Sequence, residues 1–360
     1  MVGFTILAGG YDVFVATYLF NSSCSSLSLV STSPTGPFPS WITLHPTNKS
    51  ILYAVNEVAA GALQSFTINA TGALSPAVNT VSSGGDGPAF AAALSTDSVG
   101  IFNYNSGNGR IILTSPSDRT IFIDNAPVIS FPQPTPPNVS HPHMALRHET
   151  EVLVPDLGGD KIWRLAPTLG DFGIQGFIPQ PEGSGPRHIA ISNDRLFTLH
   201  ELASTLTVQR VPSEPNGTAP IIASASIIPS DPPEGASFAA AEILIPKPTQ
   251  SFWKPYIYVS NRNTGVQDPR GDAIAIFEHV YADTPDEGLK LVRHVYTGLD
   301  QPRGMEFGPE DGRGGEAFLA VAGVAGNGGM KIFQRTEGGR NLKLVATNLE
   351  IPTRSTFVWL

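Results

Sequence analysis

The sequence predicts an all-β protein, a seven-bladed β-propeller with four-stranded blades. Three observations lead there. Helical periodicity is scarce along the 360 residues. Short apolar runs recur between polar turns, the pattern of strands joined by hairpins. Groups of these runs repeat at intervals of about 50 residues, the period of a propeller blade. Dense punctuation, Gly 36 and Pro 32, supplies the turns.

The elements follow in order. Positions 4–29 supply strands that form no complete unit of their own. Trp41-Ile42-Thr43-Leu44-His45-Pro46 opens the first unit, continued by 50–57 and by Ala62-Leu63-Gln64-Ser65-Phe66-Thr67-Ile68. The last of these alternates partly between apolar and polar, as a half-buried strand does. Gly87-Pro88-Ala89-Phe90 opens the second unit and His141-Pro142-His143 the third. Gly185-Pro186-Arg187-His188 opens the fourth, Phe238-Ala239-Ala240-Ala241-Glu242 the fifth, and Gln301-Pro302-Arg303-Gly304 the sixth. Thr356-Phe357-Val358-Trp359-Leu360 is a strand without a unit. Joining it to the N-terminal strands completes a seventh blade and closes the ring, which removes exposed sheet edges. The Pro-rich stretch 131–138 then reads as an inter-blade loop, and residues 1–360 as one domain.

Charge and composition exclude several functions. Lys+Arg 22 against Asp+Glu 31 leaves a net charge of −9, with no basic cluster to offset it. Such a surface repels phosphate backbones, so no nucleic-acid partner is expected. A single cysteine, Cys24, rules out an intramolecular disulfide and any multi-cysteine zinc site. The best N-terminal apolar run, 13–20, falls far short of the roughly 18 residues of a membrane span. It also lacks a basic n-region and a cleavage site, so the expected location is the cytoplasm, with no membrane partner. Sequons at Asn21, Asn48, Asn69, Asn138 and Asn216 carry little weight without an export signal. A self-closed ring needs no partner for stability, so a monomer is expected.

One ordered set of motifs is more specific: His141-Pro142-His143, Gly185-Pro186-Arg187-His188, His200-Glu201-Leu202, Ala240-Ala241-Glu242-Ile243 and Ser260-Asn261-Arg262. Over nearly its whole length the chain resembles the seven-bladed propeller lactonases. That superfamily holds the bacterial-type 6-phosphogluconolactonases and the fungal 3-carboxy-cis,cis-muconate lactonizing enzymes. The resemblance implies chemistry at one end of the central channel, carried by one His, two Arg and one Glu. These match His141, Arg187, Glu201 and Arg262, with His143 in the second position of the His-x-His form. It also implies an enzyme free of metal and cofactor. Two departures bear on the substrate: His200 stands where the lactonase-like branch has Asn, and 263–272 carries an insertion-like stretch.

Lactone hydrolysis needs a base for water, a cation for the growing oxyanion and an acid for the leaving oxygen. Glu201 is the candidate base, and Arg187 and Arg262 the candidate cations. His141, titrating near neutral pH, is the candidate acid. The plain structural alternative is that the arginines pair with Glu201 or Glu242 to seal the channel. Glu242 and Arg303 open units at positions comparable to Arg187, so with His143 they are candidate substrate-binding residues. His-Pro-His could suggest a metal pair, but no carboxylate-rich segment completes a ligand set. Strict alternation places His188 on the opposite side of its strand from Arg187, as a packed blade histidine. His45, His148, His279 and His294 read as turn or surface residues. Asp156 and Asp160 belong to a turn, and 323–329 reads as a hairpin connection without the Lys-Ser/Thr ending of a phosphate loop. No G-x-S-x-G elbow is present, against a serine esterase.

The expected substrate is therefore a small-molecule lactone or carboxylate. Sugar-lactone hydrolysis is favoured over muconate cyclisation by the Ala-Ala-Glu-Ile and His-x-His forms. A non-catalytic binding scaffold is the remaining alternative, since fold does not fix function.

Overall fold

Short strands joined by tight turns bury both faces of their sheets only if sheet packs on sheet, and this chain does so in a ring. A computed structural model describes residues 3–135, 138–169 and 171–360. It contains seven antiparallel sheets, each ordered from an inner to an outer strand. The inner strands of blades 1 to 6 are Ile42–Leu44, Pro88–Ala93, Leu146–His148, Pro186–Ser192, Phe238–Leu244 and Asp300–Phe307. Blade 7 takes its inner strand, Thr356–Trp359, from the C-terminal end and its second, Gly3–Gly9, from the N-terminal end. Pairing of Ile6 with Trp359 and Leu7 with Val358 closes the ring as expected. In blade 2 the outer position is split between Phe122–Ile123 and Ile129–Ser130, both on Asn108–Thr114. Among the described residues there is no α-helix. The segment 131–138 does join blades 2 and 3, positions 136 and 137 lying outside the described residues.

The core is divided into seven apolar clusters, one at each interface between neighbouring blades. The two-residue period of a strand produces this arrangement. Phe4, Ile6 and Ala8 face blade 6, while Leu7 on the same strand faces blade 1. Every blade is thus apolar on both faces, which is why the runs read as nearly continuous rather than cleanly alternating.

Inner strands lose their regular pairing where they begin. Register shifts fall at Pro88/Phe90, Pro186/His188, Ala240/Ile243 and Pro302/Met305. Proline has no N–H for the ladder, and a bulge re-aims the side chains beside it. In blade 3 Pro142 makes only an isolated bridge to Asp156 before the regular strand starts at Leu146. Gly185 has φ +65°, and a Cβ there would lie 2.6 Å from Leu202 Cγ, so glycine sets the approach to Pro186-Arg187. These irregular starts build the site.

Candidate active site

Arg187 and His188 sit at the shift that opens blade 4, and both are buried against the channel. Alternation had predicted opposite sides; the bulge overrides it. Arg187 is 1% exposed and donates Nη1–H to the Ala241 carbonyl. Its Nε lies 2.6 Å from Glu201 Oε2, off the line of a hydrogen bond, and among the described residues its Nη2 has no hydrogen-bond partner. Arg262 holds the other oxygen of the same carboxylate, with Nη2 2.8 Å from Glu201 Oε1. Arg303 is buried in blade 6 and among the described residues reaches weak partners, Glu57 Oε2 at 3.9 Å, the Ser40 carbonyl at 3.5 Å and the Tyr11 ring at 5.7 Å. The structure therefore brings Arg187, Glu201, Arg262 and Arg303 into one cluster, in which positive charge is incompletely matched.

A second set of groups crosses the channel beside it. Glu242 Oε1 lies 2.7 Å from His188 Nδ1, and His188 Nε2 lies 3.2 Å from His143 Nδ1. A carboxylate only accepts, so His188 Nδ1 carries a proton and its neutral Nε2 accepts from His143 Nδ1–H. His143 Nε2 is left as an open lone pair. Burial holds His143 well below its ordinary pKa of 6.5, reinforced by Arg187, His188 and the other arginines. Burial also lowers His188, in spite of Glu242. Trp41 and Phe90 seat the His188 ring edge-on at 5.5 and 5.7 Å. His188 is thus a packed histidine, but one that faces the channel and connects two site residues.

His141 lies farther out. Its ring stacks on Tyr104 at 4.3 Å, and its Nδ1 sits 2.6 Å from the Tyr104 carbonyl. Tyr104 meets His143 edge-on at 5.7 Å, so it joins the two histidines. Of the pair in His-Pro-His, His143 enters the buried cluster and His141 borders it.

Electrostatics separate the roles. Burial raises Glu201, but Arg187, Arg262 and Arg303 outweigh it and hold the carboxyl below its usual value. Burial and the adjacent Arg262 push Arg187 down to about 9, against the opposing pull of Glu201. Such a guanidinium is still charged at neutral pH and is short of anionic partners. The arrangement can bind a carboxylate or phosphate, stabilise an oxyanion and offer a neutral imidazole base. Among the described residues no group of three His, Cys, Asp or Glu side chains could hold a metal ion.

Several other expectations are corrected or extended. His45 is buried, with Nε2 2.9 Å from the Thr96 carbonyl. His279 contacts Glu287 at 2.9 Å, and His294 reaches the Ile227 carbonyl. Asp156 ends a strand, as a turn residue would, and is a buried hub for Ser140, the His141 N–H and Trp163. Of the stretch 323–329, only 326–329 join two paired strands of blade 6, since 323–325 belong to the strand Phe318–Ala325. Two missed channel residues, Glu57 and Tyr104, each directly follow the second strand of their blade, as Glu201 does. Superposing the repeats would have found both. Glu57 also contacts the Ser40 hydroxyl.

Comparison with known proteins agrees with the fold. Residues 5–359 match the model of the lactonase family, 7-bladed β-propeller. No match was found among curated protein sequences. A protein from Lactobacillus plantarum superposes with TM-score 0.82 at 22% identity, covering 100% of both chains. A candidate 6-phosphogluconolactonase from Bacteroides fragilis gives 0.80 at 19%, covering 99% of this chain and 98% of its own. A periplasmic gluconolactonase from Pseudomonas aeruginosa gives 0.80 at 20%, with 100% and 99% covered. At these identities the superpositions speak for the fold. No helix among the described residues is long and apolar enough to cross a membrane.

Proposed function

The chain belongs to the lactonase family of seven-bladed β-propellers, and from that premise we propose that it hydrolyses a sugar-type or related lactone at the Arg187 cluster. The observation that carries this is the Arg187 guanidinium, buried yet lacking a partner at Nη2 among the described residues. A buried unpaired donor is costly, and its natural occupant is an oxygen that gains negative charge during reaction.

Mechanistically, water adds to the ring carbonyl carbon while His143 Nε2 takes its proton. The carbonyl oxygen becomes an oxyanion held by Arg187. Collapse of the tetrahedral intermediate breaks the bond to the ring oxygen, which receives the proton back from His143. The product is the open hydroxy acid. Glu201 was expected as the base, but guanidinium groups engage both of its oxygens. In this proposal it aligns Arg187 and Arg262 instead. Arg303, weakly paired beside Glu57, is the group offered to a substrate carboxylate or phosphate. His141 and Tyr104 border the entrance. A cytoplasmic location, a monomeric state and chemistry without a cofactor belong to the same proposal, the monomer supported by the closed ring.

The test is acid release over a panel of γ- and δ-lactones, phosphorylated sugar lactones included. Folded Arg187→Ala and His143→Gln should both lose it. Turnover of muconates alone, followed by ultraviolet absorbance, would instead mark a cyclase. Silence on both panels would count for a binding scaffold.

A further inference from the structure

The channel has a second compartment. Beyond the His188–Glu242 contact, toward the end where the inner strands finish, lies a cavity of about 610 Å³. Its walls are largely apolar and include Trp41, Phe90, Met144 and Trp359. Three carboxyl side chains line it, those of Glu242, Glu306 and Asp311. Glu242 is 5% exposed; its Oε1 is taken by His188 and the Ile243 N–H, and among the described residues its Oε2 accepts no hydrogen bond. Glu306, partly buried in blade 6, makes no hydrogen bond or ion pair through its carboxyl among the described residues.

An unpaired carboxylate in apolar surroundings is strongly disfavoured unless it is protonated or meets a cation. Burial pushes Glu306 up to about 8, Glu242 adds to this, and Lys49 only partly opposes it. Lys49 also lines the cavity but is exposed and makes no ion pair with either acid among the described residues, and Asp311 is tied to Arg313 at 2.6 Å. Among the described residues His188 therefore meets one oxygen of Glu242, and no basic side chain pairs with the Glu306 carboxyl. Aromatic walls and an unanswered carboxylate together are the chemistry that recognises an ammonium on an apolar body.

We propose that this compartment is a binding site for a hydrophobic organic cation, held by Glu306 and Glu242 against Trp41 and Trp359. It is separate from the arginine cluster, whose charge repels such a ligand, and it does not depend on the lactonase reading. Cation binding favours ionised Glu306, so affinity rises with pH.

Benzyltrimethylammonium, whose charge is fixed, is titrated into the full chain with benzyl alcohol and phenylacetate as neutral and anionic counterparts. Tryptophan fluorescence and calorimetry report binding. The ammonium should saturate and bind about tenfold more tightly at pH 9 than at pH 6.5, because Glu306 ionises between them. Glu306→Gln should weaken binding and remove the pH dependence, whereas Glu201→Gln should bind as wild type does. Equal binding of benzyl alcohol, a flat pH response in the wild-type protein, or no binding at all would overturn the proposal. The wild-type pH response needs no variant, so a folding defect in Glu306→Gln cannot hide the answer.

Discussion

The two ends of the channel are built from the same seven inner strands and are chemically opposite. Where the strands begin, prolines and bulges turn Arg187, Glu242 and Arg303 toward the axis. There three guanidinium groups share mainly Glu201 and Glu57. Where the strands finish, the walls are mainly aromatic and aliphatic, and among the described residues the Glu306 carboxyl has no hydrogen bond or ion pair. The His188–Glu242 contact lies between the two. Irregular backbone thus marks the end with the dense polar cluster, while the opposite end keeps the blades' apolar pattern.

Removing residues 356–360 should have the largest effect. It deletes the inner strand of blade 7, along with Phe357 and Trp359 from their interface cluster. Calorimetry should find no cooperative transition near that of the intact chain, and both ends should fail together. Arg187→Gln should damage one end only. Loss of a buried oxyanion donor lowers kcat by about 10²–10³-fold, while fluorescence titration of the other compartment stays unchanged.

Acid dependence sharpens the contrast. His143 and His188 are held neutral in the folded protein, below the unfolded value near 6.5. The unfolded state therefore binds more protons as pH falls below about 6.5, and stability should decline there. Activity that relies on neutral His143 should persist to lower pH than an ordinary histidine allows. Arg303→Met removes one of the cations that depress His143, so the acid limb of kcat/KM should move upward toward 6.5. Glu306→Gln is the smallest perturbation. The lactone rate should stay within about twofold of wild type, as expected of a change remote from the reacting atoms. Glu306 is raised on folding, so the wild-type protein should lose stability as pH rises from the unfolded carboxyl pKa to about 8, and the variant should lack that loss. A melting series across pH checks both halves.

The repeat was legible because each strand leaves a short apolar run and each turn leaves Gly or Pro. Even the closure of blade 7 followed from an unpaired C-terminal run. Arg187, Glu201 and Arg262 come into contact as their motifs implied, and His143 of the His-x-His form lies beside His188. What stayed hidden depends on bulges. A two-residue period places His188 away from Arg187, and only the shift at Pro186/His188 brings both to the channel. The pairing of blade 3 lapses between the Pro142 bridge and Leu146, and the sequence reading gives the central role to His141, whereas the structure puts His143 in the buried cluster. Glu306 looked like an ordinary strand residue, because the surroundings of its carboxyl are assembled from several blades together.

The most direct test of the arginine end is chemical rescue of Arg187→Ala. With the lactone on which the wild-type protein is most active, initial rates of acid release are measured with and without added guanidinium at non-denaturing concentration. The account predicts a deep loss in the folded variant and partial recovery with guanidinium, with no such response in Glu306→Gln. A folded Arg187→Ala protein that hydrolyses the lactone at the wild-type rate would contradict it.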